Sequence, residues 1–208
     1  MNMQTSLFEP VNTLAPHNLL NKEGCAHYFD QVFSPANCIS LFEELLEGLN
    51  WQPDCITMFG KQIITKRQVV WVGDAGCSYT YSGQKKYPQA WTPPLLLIKE
   101  KLEKLASWQF NSCLLNLYHN GNEAMGWHSD NEKSITPASA IASLSFGAER
   151  KFSFRHRLSK ETRSVMLEHG SLLLMKGTTQ THWQHSLPKS TRVTSARINL
   201  TFRHMVDQ

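Results

Sequence analysis

The segment Arg197-Ile198-Asn199-Leu200-Thr201-Phe202-Arg203 alternates polar and apolar side chains without a break, so it reads as a half-buried strand with Ile198, Leu200 and Phe202 on the inward face. Six more stretches repeat this habit: 110–118, 140–147, 151–157, 163–167, 170–175 and 181–187, with turn residues between them. Many short strands of this kind argue for a β-sandwich or jelly roll.

Two helices accompany the strands. Ser34-Pro35 is an N-cap followed by proline at the first helical position, and Ile39, Phe42, Leu45, Leu46 and Leu49 give a helical stripe that ends near Gly48 to Asn50. A second helix is expected after Thr92, with Leu95, Ile98, Leu102 and Leu105 inward and Lys99, Glu100, Lys101, Glu103 and Lys104 outward. Residues 1 to about 33, with Pro10 and Pro16, show no clear period and read as irregular. The expected fold class is therefore mainly β, within α+β, with helices buttressing one face. A chain of 208 residues with 41% hydrophobic content suits one domain. Its expected parts are an N-terminal segment and helix (1–55), an aromatic and basic insertion (56–91), and the second helix with the strand-rich core (92–208).

Between Gly126 and Glu132, His128 and Asp130 stand two residues apart, so in an extended segment both side chains leave the same face. A second imidazole arrives 55 residues after Asp130, at His185. Two imidazoles and one carboxylate form a facial set that leaves coordination positions open on Fe(II) for substrate and O2. His182 and His185 lie three apart, on opposite faces of a strand, so only one of them can join that set. On the closing strand, Arg197 and Arg203 share a face with Asn199 and Thr201; at roughly 3.3 Å per residue their Cα atoms stand about 20 Å apart. Two long side chains reaching inward from there could hold the ends of a short diacid, and a guanidinium fork suits a carboxylate. Asn116 and Tyr118, also on one strand face, add an amide and a phenol, a combination that suits 2-oxoglutarate.

In this order and approximate spacing, Asn116 with Tyr118, His128 with Asp130, the run Ser143 to Ala148, the run His182 to Pro188, and Arg197 to Arg203 resemble the AlkB family of Fe(II)- and 2-oxoglutarate-dependent nucleic-acid dealkylases. The resemblance runs from about Phe59 to Arg203 and is closest to members that repair double-stranded DNA. It implies a double-stranded β-helix (jelly roll) core, and it selects His185 over His182, placing Fe(II) on His128, Asp130 and His185. It implies that Asn116, Tyr118, Arg197, Thr201 and Arg203 bind 2-oxoglutarate, and that 56–91 is a β-hairpin lid for nucleotide recognition. In that segment Phe59, Gly60 and Lys61 are followed by Lys66 and Arg67, then by Tyr79, Tyr81 and Ser82. Aromatics with basic flanks fit base stacking and phosphate contact. The resemblance implies that Tyr81 stacks on an extruded base opposite the ring of His128, and that Phe59 fills the vacated stack as a wedge. Read without it, both aromatics are core or hairpin packing. Glu132 and Arg155 match base-pocket positions, Glu132 toward the exocyclic amine. The implied reaction is oxidative demethylation of N1-methyladenine and N3-methylcytosine with Fe(II), O2 and 2-oxoglutarate, releasing formaldehyde, succinate and CO2. RNA demethylation, hydroxylation of a protein or small molecule, and a catalytically silent nucleic-acid-binding sandwich are the alternatives.

Charge agrees with a nucleic-acid partner. The net charge is +4, and Arg150, Lys151, Arg155, Arg157, Lys160 and Arg163 fall within fourteen residues that hold one acid, Glu161. The five cysteines are odd in number and free of C-x-x-C spacing, which argues against a disulfide framework or a zinc knuckle. The N-terminus shows neither a basic n-region nor an apolar h-region. The expectation is a monomer without a membrane segment or signal peptide, cytoplasmic in a bacterium or nuclear in a eukaryote.

Overall fold

A computed structural model of the chain describes residues 16–58, 61–81 and 84–206. The alternating closing segment is β13 (Arg197–Arg203), at the centre of a seven-stranded sheet. The order of that sheet is β1 (Cys25–Phe29), β11 (Leu172–Lys176), β8 (Ile141–Gly147), β13, β6 (Ser112–Tyr118), β3 (Lys61–Gly73) and β2 (Gln52–Met58). Its neighbours are all antiparallel. A four-stranded sheet runs β10 (Thr162–Leu167), β9 (Arg150–His156), β12 (Trp183–Leu187) and β7 (Met125–His128). A two-stranded ribbon joins β4 (Tyr79–Tyr81) to β5 (Gln84–Lys86).

The two larger sheets close on an apolar layer in which Tyr118, Ile141, Leu173 and Met175 of one meet Phe152, Phe154, Trp183 and Leu187 of the other. Ile198, Leu200 and Phe202 point the opposite way, into a second layer covered by α1 (Pro35–Gly48) and α2 (Pro93–Ala106). Period-two alternation along β13 thus serves two compartments: apolar side chains seat the helices, and polar ones face the gap between the sheets. The result is the expected jelly roll with buttressing helices.

Local chemistry explains the helix starts. Ser34 Oγ accepts from the Asn37 N–H at 3.3 Å, and Pro35 fills the first position, where its missing N–H has no partner to lose. The inward stripe of α1 is Cys38, Leu41 and Leu45; Ile39, expected inward, is 54% exposed. In α2, Leu95, Ile98 and Leu102 are buried as their spacing predicts. The N-terminal region departs from its irregular reading: Cys25–Phe29 forms an edge strand whose five residues pair with Leu172–Lys176. Only Ala26 and Phe29 of that strand are buried, so backbone pairing rather than side-chain alternation defines it. Strand β3 pairs with β6 over Gln68–Gly73, while its first residues, Lys61 to Ile64, pair with β2 alone as a hairpin arm. Among the described residues, no helix is long and apolar enough to cross a membrane.

Candidate active site

Strands β7 and β12 pair so that His128 and His185 sit opposite each other in register, which brings their Nε2 atoms to 3.1 Å. Asp130 follows the end of β7, and its Oδ2 lies 3.9 Å from His185 Nε2. These three side chains form a group that could hold a metal ion. His128 Nδ1 lies 2.8 Å from the Gly126 carbonyl, an acceptor, so Nδ1 carries the proton and Nε2 presents its lone pair inward. His185 is buried, its ring stacked on Phe152 at 5.3 Å and 25°. That burial pushes its pKa down to about 4, outweighing the attraction of Asp130, so the ring is neutral and competent to ligate. Burial works against ionisation of Asp130, but Arg203 first, then His185 and His128, hold its pKa below the ordinary carboxylate value. The Asp130 N–H donates to Gln180 Oε1 at 2.9 Å, so the residues entering β12 fix the loop that carries the carboxylate.

From this trio a cavity, open to solvent, runs between the sheets. Asn116, Tyr118, Arg197, Thr201 and Arg203 all line it, together with His128, Asp130 and His185. The β13–β6 register puts Arg197 beside Tyr118 and Asn199 beside Asn116. Arg203 donates to Asp130 Oδ1 at 2.9 Å, which marks the metal end of the cavity. Arg197 lies at the other end, donating to Ser145 Oγ at 2.9 Å with its guanidinium over the Tyr118 ring at 5.5 Å. Burial pulls its pKa down to about 10, against the pull of Tyr118. Asn116 Oδ1, Arg197 Nε and Arg203 Nε are buried and make no hydrogen bond among the described residues. Buried polar groups are costly to leave unmet. Two cations and an amide converging on one cavity fit a dicarboxylate, and the neighbouring His-Asp-His donors fit Fe(II).

The remaining sequence-derived residues are less concentrated. Lys61 begins β3, and Tyr79 and Tyr81 lie on β4 opposite Lys86 and Gln84. Phe59, Gly60 and Ser82 lie outside the described residues. Arg67, expected on the basic flank of the hairpin, is instead buried and paired with Asp54. Arg155 aligns with Gln184 rather than His185, donates to Gln184 Oε1 at 3.1 Å and stacks on Trp127 at 4.3 Å. Neighbours in a strand face opposite ways, and Phe154 contacts the His185 ring; Arg155 therefore occupies the outer face. Glu132 is exposed and, like Arg155, lies off the cavity. Arg150, counted in the basic cluster, is 1% exposed and donates to the carbonyls of Glu123 at 2.9 Å and Pro188 at 2.8 Å. It clamps the loop before β7 to the loop after β12 and is withdrawn from the surface charge. His182 closes the short helix α3 (Thr179–His182) rather than lying on a strand. Ser145 stood in the run Ser143 to Ala148 without a role of its own, and Gln180 was not singled out from sequence; the alternation of β8 carried a signal for Ser145, and nothing local marks Gln180.

Comparison with known proteins agrees with this geometry. The model of the 2OG-Fe(II) oxygenase superfamily matches residues 25–203. Fold and site together define a dioxygenase of that class, with Fe(II), 2-oxoglutarate and O2 as its cofactors. The chain is 37% identical over 198 residues to mouse DNA oxidative demethylase ALKBH2, covering 90% of this chain and 83% of that relative. It is 38% identical over 174 residues to cattle alpha-ketoglutarate-dependent dioxygenase alkB homolog 3, covering 79% of this chain and 60% of that one. A solved structure of OsALKBH1 superposes with a TM-score of 0.60 at 13% identity, covering 86% of this chain and 97% of that one, and so shares the fold. The chain belongs to the AlkB family of the 2OG-Fe(II) oxygenases.

Proposed function

We propose that the chain is a DNA oxidative demethylase that restores bases carrying N-alkyl groups, N1-methyladenine and N3-methylcytosine above all. The observation that carries this reading is the His128, Asp130 and His185 trio at the head of a cavity with unmet polar atoms, in a chain 37% identical to a DNA oxidative demethylase. His128, Asp130 and His185 would hold Fe(II), which with 2-oxoglutarate would supply the activation of O2 needed to hydroxylate the alkyl carbon.

The protein's part is placement. His128 and His185 supply neutral nitrogen donors, and Asp130 supplies the charged one while Arg203 fixes its orientation. Arg197 would take the remote carboxylate of 2-oxoglutarate, with Asn116, Tyr118 and Thr201 along the cavity wall and Arg203 toward the keto-acid end. Phe152 and Leu187 keep the metal side of the cavity apolar, which limits water there. The alkyl group becomes a hydroxymethyl on the base nitrogen and leaves as formaldehyde.

On the nucleic-acid side, Tyr81 of the β4–β5 ribbon stacks on the extruded base, with Tyr79 and Ser82 next to it in sequence, and Phe59, with Gly60 and Lys61 next to it in sequence, occupies the gap in the duplex from the separate β2–β3 pair. Glu132 favours the positive charge that N1- or N3-methylation puts on the base. Arg155 acts from the outer face, through its platform on Trp127. The lid lies within residues 56–91 of one dioxygenase domain, outside the Gln68–Gly73 stretch that pairs with β6 in the core sheet, and the protein works as a monomer in the bacterial cytoplasm or the nucleus. The test is formaldehyde release from methylated oligonucleotides, DNA and RNA, single- and double-stranded, with iron and 2-oxoglutarate. Release from methylated DNA in both strand states supports the reading; release from RNA alone, or from none of the four, overturns it.

A further inference from the structure

A second set of ligand-type side chains lies outside the active site. Glu23, in the turn before β1, His156, at the end of β9, and His182, at the end of α3, present ligand atoms all within 4.8 Å of one another. We propose that Glu23, His156 and His182 form a second divalent-cation site, suited to zinc, that ties the N-terminal edge of the fold to the strand carrying His185.

Four observations carry it. His156 is 2% exposed, and its Nε2 is buried without a hydrogen bond among the described residues. Glu23 Oε2 stands only 2.9 Å from that nitrogen, so the contact is close but misaligned for an N–H···O bond. A shared cation accounts for both facts, because each ligand then points at the ion rather than at the other. Spacing is compatible: ligands about 2.0–2.1 Å from a tetrahedral zinc stand about 3.3 Å apart, Glu23 Oε2 lies 2.9 Å from His156 Nε2 and Glu23 Oε1 lies 3.8 Å from His182 Nδ1, and one ligand atom from each residue lies within 4.8 Å of the other two.

The frame around the set is already built. Trp183 packs edge-on against the His156 ring at 4.9 Å and donates through Nε1 to the Lys22 carbonyl at 3.1 Å, which positions the residue before Glu23. The Arg157 N–H donates to the His182 carbonyl at 2.8 Å, locking the end of β9 to the end of α3. Glu23 itself holds a φ of 45°, a left-handed conformation uncommon for a side-chain-bearing residue. The two imidazole rings lie 6.4 Å apart and within 12° of parallel.

Metal entry moves one proton. In the metal-free arrangement His156 Nδ1 accepts from the Ser159 N–H at 3.1 Å, so the ring proton is on Nε2, facing Glu23. Ligation through Nε2 needs that proton on Nδ1, where Ser159 Oγ, 3.0 Å away, can accept it once the backbone N–H turns aside. Two nitrogens and one carboxylate oxygen are a borderline donor set, the one zinc takes with water as fourth ligand. The proposal does not depend on the demethylase reading.

The test uses zinc alone and the full chain, with the two sites separated by variants. His185→Ala disables the active-site trio; His182→Ala and Glu23→Gln disable the second set at residues exposed enough to be changed without opening the core. Zinc titration should give two equivalents for the unaltered chain, one for His185→Ala, one for His182→Ala or Glu23→Gln, and none above background for His185→Ala with His182→Ala. In the His185→Ala background zinc should raise the melting temperature, and the added His182→Ala should remove that rise. A single equivalent in the unaltered chain, lost with His185→Ala and kept with His182→Ala, overturns the site and leaves a metal-free Glu23–His156 contact. A rise in melting temperature that survives Glu23→Gln and His182→Ala together overturns it as well.

Discussion

Replacing Arg197 with methionine separates a cosubstrate clamp from a structural cation. Arg197 is 2% exposed and, among the described residues, its side chain donates to Ser145 Oγ while its Nε finds no partner. Burial lowers its pKa from the ordinary arginine value to about 10; at 1.36 kcal/mol per pH unit this is about 3 kcal/mol working against the charged form in the cosubstrate-free protein. Methionine removes that penalty and keeps most of the volume. It forfeits the cation over Tyr118, worth about 2 kcal/mol when desolvated, and the Ser145 hydrogen bond, worth about 1 kcal/mol. The opposing contributions cancel, so the melting temperature without 2-oxoglutarate should stay within about 4 °C of the unaltered protein. Binding should not be spared. A carboxylate held by two charge-assisted hydrogen bonds loses about 3 kcal/mol or more on truncation, about a hundredfold in the Michaelis constant for 2-oxoglutarate. The assay is succinate formation against 2-oxoglutarate concentration, beside a thermal melt of the cosubstrate-free variant. A melting temperature lowered by more than about 8 °C, with the Michaelis constant unchanged, would refute the clamp and make Arg197 a packing residue.

His185→Ala or Asp130→Ala should abolish turnover while circular dichroism stays that of the folded chain; His182→Ala should keep iron at the active site, and iron lost from His182→Ala but kept by His185→Ala would reverse the ligand choice. Phe59→Ala should cut repair of methylated duplex DNA by about tenfold, about 1.4 kcal/mol, and spare single-stranded DNA, because only the duplex charges the cost of unstacking. Tyr81→Ala should impair both, and equal losses for Phe59→Ala would make Phe59 a packing residue. His169 Nδ1 accepts from the Gly147 N–H at 2.9 Å, and burial holds its pKa below the ordinary 6.5. The unfolded chain therefore takes this proton first as pH falls: stability is full above 6.5 and declines as pH drops from there through the lower folded value. Denaturant melts should show a shallower decline in that window for His169→Gln than for the unaltered chain.

The strands were legible because alternation is a local property, and β13 carried it most cleanly: each of its side chains meets the compartment that its parity assigns. The edge strand Cys25–Phe29 was not, since its pairing partner lies far along the chain and its own pattern has no period. For α1, Ile39 fits helical spacing as well as Cys38 and Leu41 do, and the position of the sheet decides: Phe42, Leu45, Leu46 and Leu49 meet the core as expected, and Ile39 faces out. Arg67 and Arg150 read as surface charge because charge alone was visible. Their partners, the Asp54 carboxylate and the carbonyls of Glu123 and Pro188, come together only in the folded sandwich. The catalytic donors were legible from an H-x-D pair and a later histidine in a family order. Glu23, His156 and His182 come from three separate elements, and no local spacing joins them.

A crystal structure of the chain with manganese(II) and 2-oxoglutarate, read by the anomalous signal of the metal, tests the central claim most directly. The account predicts an ion held by His128 Nε2, Asp130 and His185 Nε2, with the remote carboxylate of 2-oxoglutarate on the Arg197 guanidinium and its keto-acid end toward Arg203. An ion bound away from those three side chains, or a cosubstrate whose remote carboxylate leaves Arg197 untouched, would contradict it.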